Sequence, residues 1–93
     1  MSLTEYTNKS FQCDEIDLII KAFRANENFE FVIKAFFENG KPANNFSYSV
    51  NYETNRGLLN STGDNAVGHL MQRAEEDIRM GYYFGSRSNQ STD

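Results

Sequence analysis

From Phe29 to Glu38 the side chains alternate with a period of two, and this run constrains the fold more than any other part of the chain. Phe29, Phe31, Ile33, Ala35 and Phe37 fall on one side, and Glu30, Val32, Lys34, Phe36 and Glu38 on the other. That pattern is a β-strand with an apolar face that must be covered. A second alternating run follows, with Phe46, Tyr48, Val50 and Tyr52 interleaved with Ser47, Ser49 and Asn51. Asn39-Gly40, Pro42 and Asn44-Asn45 between them are turn formers, so the two runs predict an antiparallel hairpin.

Helical periodicity brackets this hairpin. Ile16, Ile19, Ile20 and Phe23 sit at i, i+3, i+4 and i+7, one stripe of a helix at about 100° per residue. Asp14, Glu15 and Asp17 crowd its expected first turn, and Lys21 and Arg24 its far end, both favourable to the helix dipole. The reading is therefore a helix from Cys13 to Ala25. Val67, Leu70, Met71, Ala74 and Ile78 repeat the spacing further on, and predict a second helix that Asp64 caps and that ends near Gly81. Thr54-Asn55-Arg56-Gly57 reads as a tight turn leading into a short strand at Leu58-Leu59-Asn60. Leu3 to Thr7 has strand propensity, and Asn8-Lys9-Ser10 reads as a turn.

These elements predict a two-layer α+β domain over residues 1–85. Its antiparallel sheet has three or four strands covered on one face by two helices, in the order (β)-α-β-β-(β)-α with the bracketed strands optional. Residues 86–93 contain no apolar side chain and predict a disordered tail. With 93 residues there is room for one core. The predicted core gathers Ile16, Ile19, Ile20, Phe23, Phe31, Ile33, Val50, Val67, Leu70, Met71, Ala74 and Ile78. The element order resembles that of double-stranded-RNA-binding domains, in topology alone. Their second helix opens lysine-rich, whereas here the corresponding residues are Asp64-Asn65-Ala66-Val67-Gly68-His69, and the family is rejected.

Nine Lys and Arg stand against thirteen Asp and Glu, a net charge of −4. A field of that sign repels phosphate backbones and anionic headgroups, so nucleic acid is disfavoured as a partner, and the short apolar runs predict no membrane span. The lone Cys13 and the absence of a signal-peptide pattern lead to the expectation of a cytoplasmic protein. Asn-X-Ser/Thr triplets at Asn8, Asn45, Asn60 and Asn89 are chance products of an Asn- and Ser-rich chain under that reading.

Little in the sequence points to catalysis. Cys13 has three carboxylates beside it, which disfavour a thiolate, and reads as a half-buried packing residue. His69 falls on the outer face of the second helix with no second ligand or orienting carboxylate at useful spacing. The glycines form no phosphate loop, and the acidic residues no metal-ligand spacing, so neither cofactor nor metal is expected and the protein reads as non-enzymatic.

What remains is surplus apolar surface. On a helix from Cys13 to Ala25, Leu18, Ala22 and Ala25 form a second stripe away from the first. Val32 and Phe36 lie on the sheet face opposite the helices, and Met80 lies off the core stripe of the second helix. Tyr82, Tyr83 and Phe84 add aromatics of the kind enriched at interfaces. These residues are the expected contact set for a protein partner, for a second copy of the chain in a homodimer, or for both. The leading expectation is thus an inhibitor or adaptor that occupies a partner protein's surface, in the manner of immunity proteins or phage anti-defence proteins. The alternative is a homo-oligomer that sequesters a small metabolite or nucleotide signal at a subunit interface, with Arg56, Arg73 or Arg79 against its phosphate.

Overall fold

The computed structural model describes residues 3–63 and 65–85. The expected tail at 86–93 and the expected cap at Asp64 lie outside them. Four antiparallel strands come first, β1 (Leu3–Cys13), β2 (Ile16–Ala25), β3 (Glu30–Phe37) and β4 (Tyr48–Asn51), in spatial order β1-β2-β3-β4. Two helices follow, α1 (Tyr52–Thr62) and α2 (Ala66–Arg79). The two-layer α+β architecture stands, with the order β-β-β-β-α-α in place of (β)-α-β-β-(β)-α.

The expected first helix is β2. Asp14 and Glu15 both have positive φ, 53° and 67°, and turn the chain so that Cys13 faces Ile16 across a two-residue hairpin. Turns of this hand need φ > 0 at both central residues, which usually selects Asn-Gly or Asp-Gly. Asp-Glu gives no such signal, and its two carboxylates imitate the first turn of a helix. The helical spacing has a physical cause too. As a central strand, β2 carries apolar side chains on both faces, with Leu18, Ile20 and Ala22 buried under the helices and Ile19 and Phe23 half-buried on the other side. Superimposing two period-two patterns produced an accidental i, i+3, i+4, i+7 series.

β1 runs through Asn8-Lys9-Ser10, where turn chemistry alone predicts a break, because Lys21, Ile20 and Ile19 of β2 pair with these residues in continuous register. The register slips once, between Glu5 and Thr7, and leaves Tyr6 as the extra residue of a bulge. The hairpin of β3 and β4 forms as expected, with Phe31 opposite Val50 and Ile33 opposite Tyr48. The connection at 38–47 folds back along β3, where the Ala43 N–H donates to the Ala35 carbonyl at 2.9 Å and Pro42 pairs with Phe36.

Residues 54–57 and 58–60, expected as a turn and a strand, lie inside α1. Asn51 caps it by accepting from the Thr54 N–H at 2.7 Å, and Gly63, at φ 79°, ends it. Only Asn55 of α1 is buried, and its Oδ1 accepts from the Ala66 N–H at 3.0 Å, joining the first turn of α2 to α1. Asn65 caps α2 through Val67. Helix α2 buries Val67, Met71, Ala74 and Ile78, the face that its spacing predicts. Leu18, Ile20, Ala22, Phe31, Ile33 and Ala35 meet them from the sheet. Two expected core residues, Ile19 and Phe23, belong to the opposite sheet face.

Candidate interaction surface

The chain beyond α2 is held from two sides. Gly81, at φ 101°, lets it leave the helix, and the Tyr83 hydroxyl donates to Asp14 in the β1–β2 turn at 2.8 Å. On the other flank, the Phe84 N–H donates to the Ala43 carbonyl at 2.7 Å, and Asn44 Nδ2 donates to the Tyr82 carbonyl at 2.8 Å. Residues 82–84 are thereby pinned between the first hairpin and the β3–β4 connection.

Alternate side chains of this segment go opposite ways. Tyr83 points inward and is 2% exposed, whereas Tyr82 and Phe84 point outward at 46% and 49%. Phe46, 42% exposed, places its ring 6.0 Å from that of Tyr82. Residues 44–46 and 82–85 line an open groove of about 310 Å³ at this corner, and Met80, 64% exposed, precedes it. Aromatics presented on a backbone already fixed by hydrogen bonds lose little entropy when a partner covers them. Of the expected contact residues, this corner gathers Tyr82 and Phe84, with Met80 beside them. It also adds Phe46, which alternation had assigned to a strand.

The other expected contact residues divide. Leu18, Ala22 and Ala25 are buried, Leu18 at 2% exposure, so the second helical stripe does not exist and offers nothing to a partner. Tyr83 is likewise an internal anchor. Val32 and Phe36 do lie on the uncovered sheet face, where Phe23 meets Phe36 edge to face at 6.2 Å and the Lys21 ammonium lies 5.5 Å from the centre of the Phe36 ring.

The three arginines do not share a site. Arg56 is exposed on α1. Arg73 approaches Asp77 at 4.0 Å. Arg79 pairs with Glu75 at 2.9 Å and lies over the Phe11 ring. Glu75 also receives the Lys9 ammonium at 2.7 Å, and these cations hold its carboxyl below the usual carboxylate range, against the effect of burial. Burial first, and then the Asp77 carboxylate, push the Tyr48 hydroxyl well above its ordinary value; the two groups are hydrogen-bonded.

Cys13 ends β1, buried beside the Ile78 carbonyl, and burial followed by the neighbouring Asp14 pushes its thiol up, away from the reactive thiolate. His69 is exposed on the outer side of α2. Among the described residues no three His, Cys, Asp or Glu side chains come together as a metal site, and no helix is long and apolar enough to cross a membrane. The chain matches no family model, no curated protein and no solved structure.

Proposed function

We propose that the protein is a non-enzymatic binding module of the inhibitor or adaptor type, which acts by covering a functional surface of another protein with its aromatic corner. The observation that carries this reading is the outward presentation of Phe46, Tyr82 and Phe84 from backbone clamped by Asn44 and Ala43. Large aromatics in that setting have the properties of interface hot spots, and an exposed cluster of them is costly to maintain without use. The net charge of −4 suits a partner with a basic functional surface and accelerates encounter with it.

Capture from a lysate of the cells that make the protein tests the reading. Wild type and a Phe46→Ala/Tyr82→Ala double variant are used as bait at equal loading. The expected result is a partner retained by the wild type in near-stoichiometric amount and lost, or reduced more than about tenfold, with the variant; two alanine losses of ~1–2 kcal/mol each give a change of that size. Equal retention by both baits contradicts it.

A further inference from the structure

The uncovered face of the sheet carries a charge pattern that the aromatic corner does not explain. Side chains on this face alternate with the buried ones of β2 and β3, and the register pairs them in rows across the strands. Ile19 stands opposite Phe36, Lys21 opposite Lys34, and Phe23 opposite Val32. One step beyond the Ile19–Phe36 row come Asp17 and Glu38, which with Ile19 and Gln12 line an open groove at that end. Along β2 and β3 the face thus reads acidic, apolar, basic, apolar, with Glu5 of β1 beside the last apolar row and Glu30 one step beyond it.

Two lysines directly opposite each other on neighbouring strands repel, and such a pair weakens a sheet unless something neutralises it. Glu5 reaches Lys21 at 3.6 Å, and among the described residues Lys34 makes no ion pair. The flanking Ile19, Phe23, Val32 and Phe36 are half-buried on a face that no helix among the described residues covers.

From this banding we infer that the open face is the contact between two copies of the chain, packed sheet on sheet about a two-fold axis that crosses the strands along the Ile19–Phe36 row. That axis lays the apolar row of one copy on the same row of the other. It also places Lys21 and Lys34 of each copy over Asp17 and Glu38 of its partner. An axis running along the strands would stack lysine on lysine, so the charges select one of the two symmetric ways to pack the faces. The face is at the small end for a specific contact. Strands of 11, 10, 8 and 4 residues at about 3.3 Å per residue and about 4.8 Å spacing give roughly 500 Å² in projection, before side-chain relief is added. Specific interfaces bury about 800 Å² on each side, and packed sheets stand about 10 Å apart. Phe46 borders this contact, since it lines one pocket with Lys34 and Phe36, whereas Tyr82 and Phe84 line only the groove at the corner, so variants at Tyr82 test the proposed function separately from this inference.

Charge reversal on the full chain tests it, with mass read by light scattering during size exclusion at about 100 μM, above the micromolar constants of weak specific dimers. The wild type is expected at the mass of two chains. Lys21→Glu/Lys34→Glu and Asp17→Lys/Glu38→Lys are each expected at the mass of one chain, with the circular dichroism of the wild type. An equimolar mixture of the two variants is expected to return to two chains, because every facing pair in the mixed dimer is again opposite in sign. A monomeric wild type overturns the inference whatever the variants do, and leaves the corner as a partner site. Variants that remain dimeric, or folded monomers that fail to recombine, overturn it as well. If either double variant does not fold, the single changes Lys34→Glu and Glu38→Lys are used in the same scheme.

Discussion

The Tyr83 hydroxyl donates to the Asp14 carboxylate at 2.8 Å across 69 residues of chain, and so fastens the segment after the last helix to the first hairpin turn. The buried ring beneath that hydroxyl sets which of its neighbours face outward, and the aromatic corner depends on it. Removing the hydroxyl alone, Tyr83→Phe, is expected to cost about 1 kcal/mol, since Asp14 is exposed and water replaces the lost donor. Removing the ring, Tyr83→Ala, is expected to cost about 3–5 kcal/mol. Urea denaturation of the three proteins checks both values, and similar losses for the two variants would show that the ring is not packed.

Leu18 makes the difference between a strand and a helix directly measurable. On the helix that the spacing suggests, Leu18→Glu would leave the monomer folded. In the structure the residue is almost wholly enclosed beneath α2, and an unpaired carboxylate there is expected to cost more than about 3 kcal/mol. Circular dichroism and thermal melting should therefore show an unfolded or strongly destabilised chain. A fully stable Leu18→Glu protein contradicts the placement of β2.

The same residue shows how far the fold is legible in the sequence. β3, β4 and α2 are plain because each turns one face to the core, as with the buried Phe31, Ile33 and Ala35 on β3, the half-buried Tyr48 and Val50 on β4, and the buried Val67, Met71, Ala74 and Ile78 on α2. β2 is hidden because both its faces are apolar, and its turn is hidden because Asp14 and Glu15 adopt positive φ without glycine. α1 is hidden for the opposite reason. It buries only Asn55, so it leaves no apolar stripe to find. Of the contact surface, Tyr82, Phe84 and Met80 are visible as surplus apolar residues. Phe46 joins them only once the 38–47 connection is folded back along β3, and no local pattern encodes that.

Glu15 holds φ 67°, a left-handed conformation that costs a non-glycine residue about 1 kcal/mol. Glu15→Gly is expected to relieve that strain and, after the roughly 0.5–1 kcal/mol of entropy that glycine loses on folding, to raise stability by up to about 0.5 kcal/mol. A loss of stability in urea would indicate that the Glu15 side chain stabilises the turn.

The Lys9–Glu75–Arg79 cluster joins β1 to α2 and gives stability a defined pH dependence. Because the folded-state pKa of Glu75 is lowered, the unfolded chain binds its proton more readily. The contribution is therefore complete above the ordinary carboxylate pKa of about 4.3 and is lost as pH falls through the lower folded value. Both cations are half-exposed, which limits the effect to about 1 kcal/mol or less. Glu75→Gln should be less stable than the wild type at pH 7, and the gap should close toward pH 3. A gap unchanged across that range would assign the loss to packing.

The proposal that the aromatic corner binds another protein is tested most directly inside the cell that makes the chain. A photo-crosslinking phenylalanine analogue is placed at Tyr82, and in a control at the exposed His69 on the outer side of α2. One predominant light-dependent adduct to a different protein is expected from position 82, and none of that species from position 69. No adduct from position 82, or the same adducts from both positions, would contradict it.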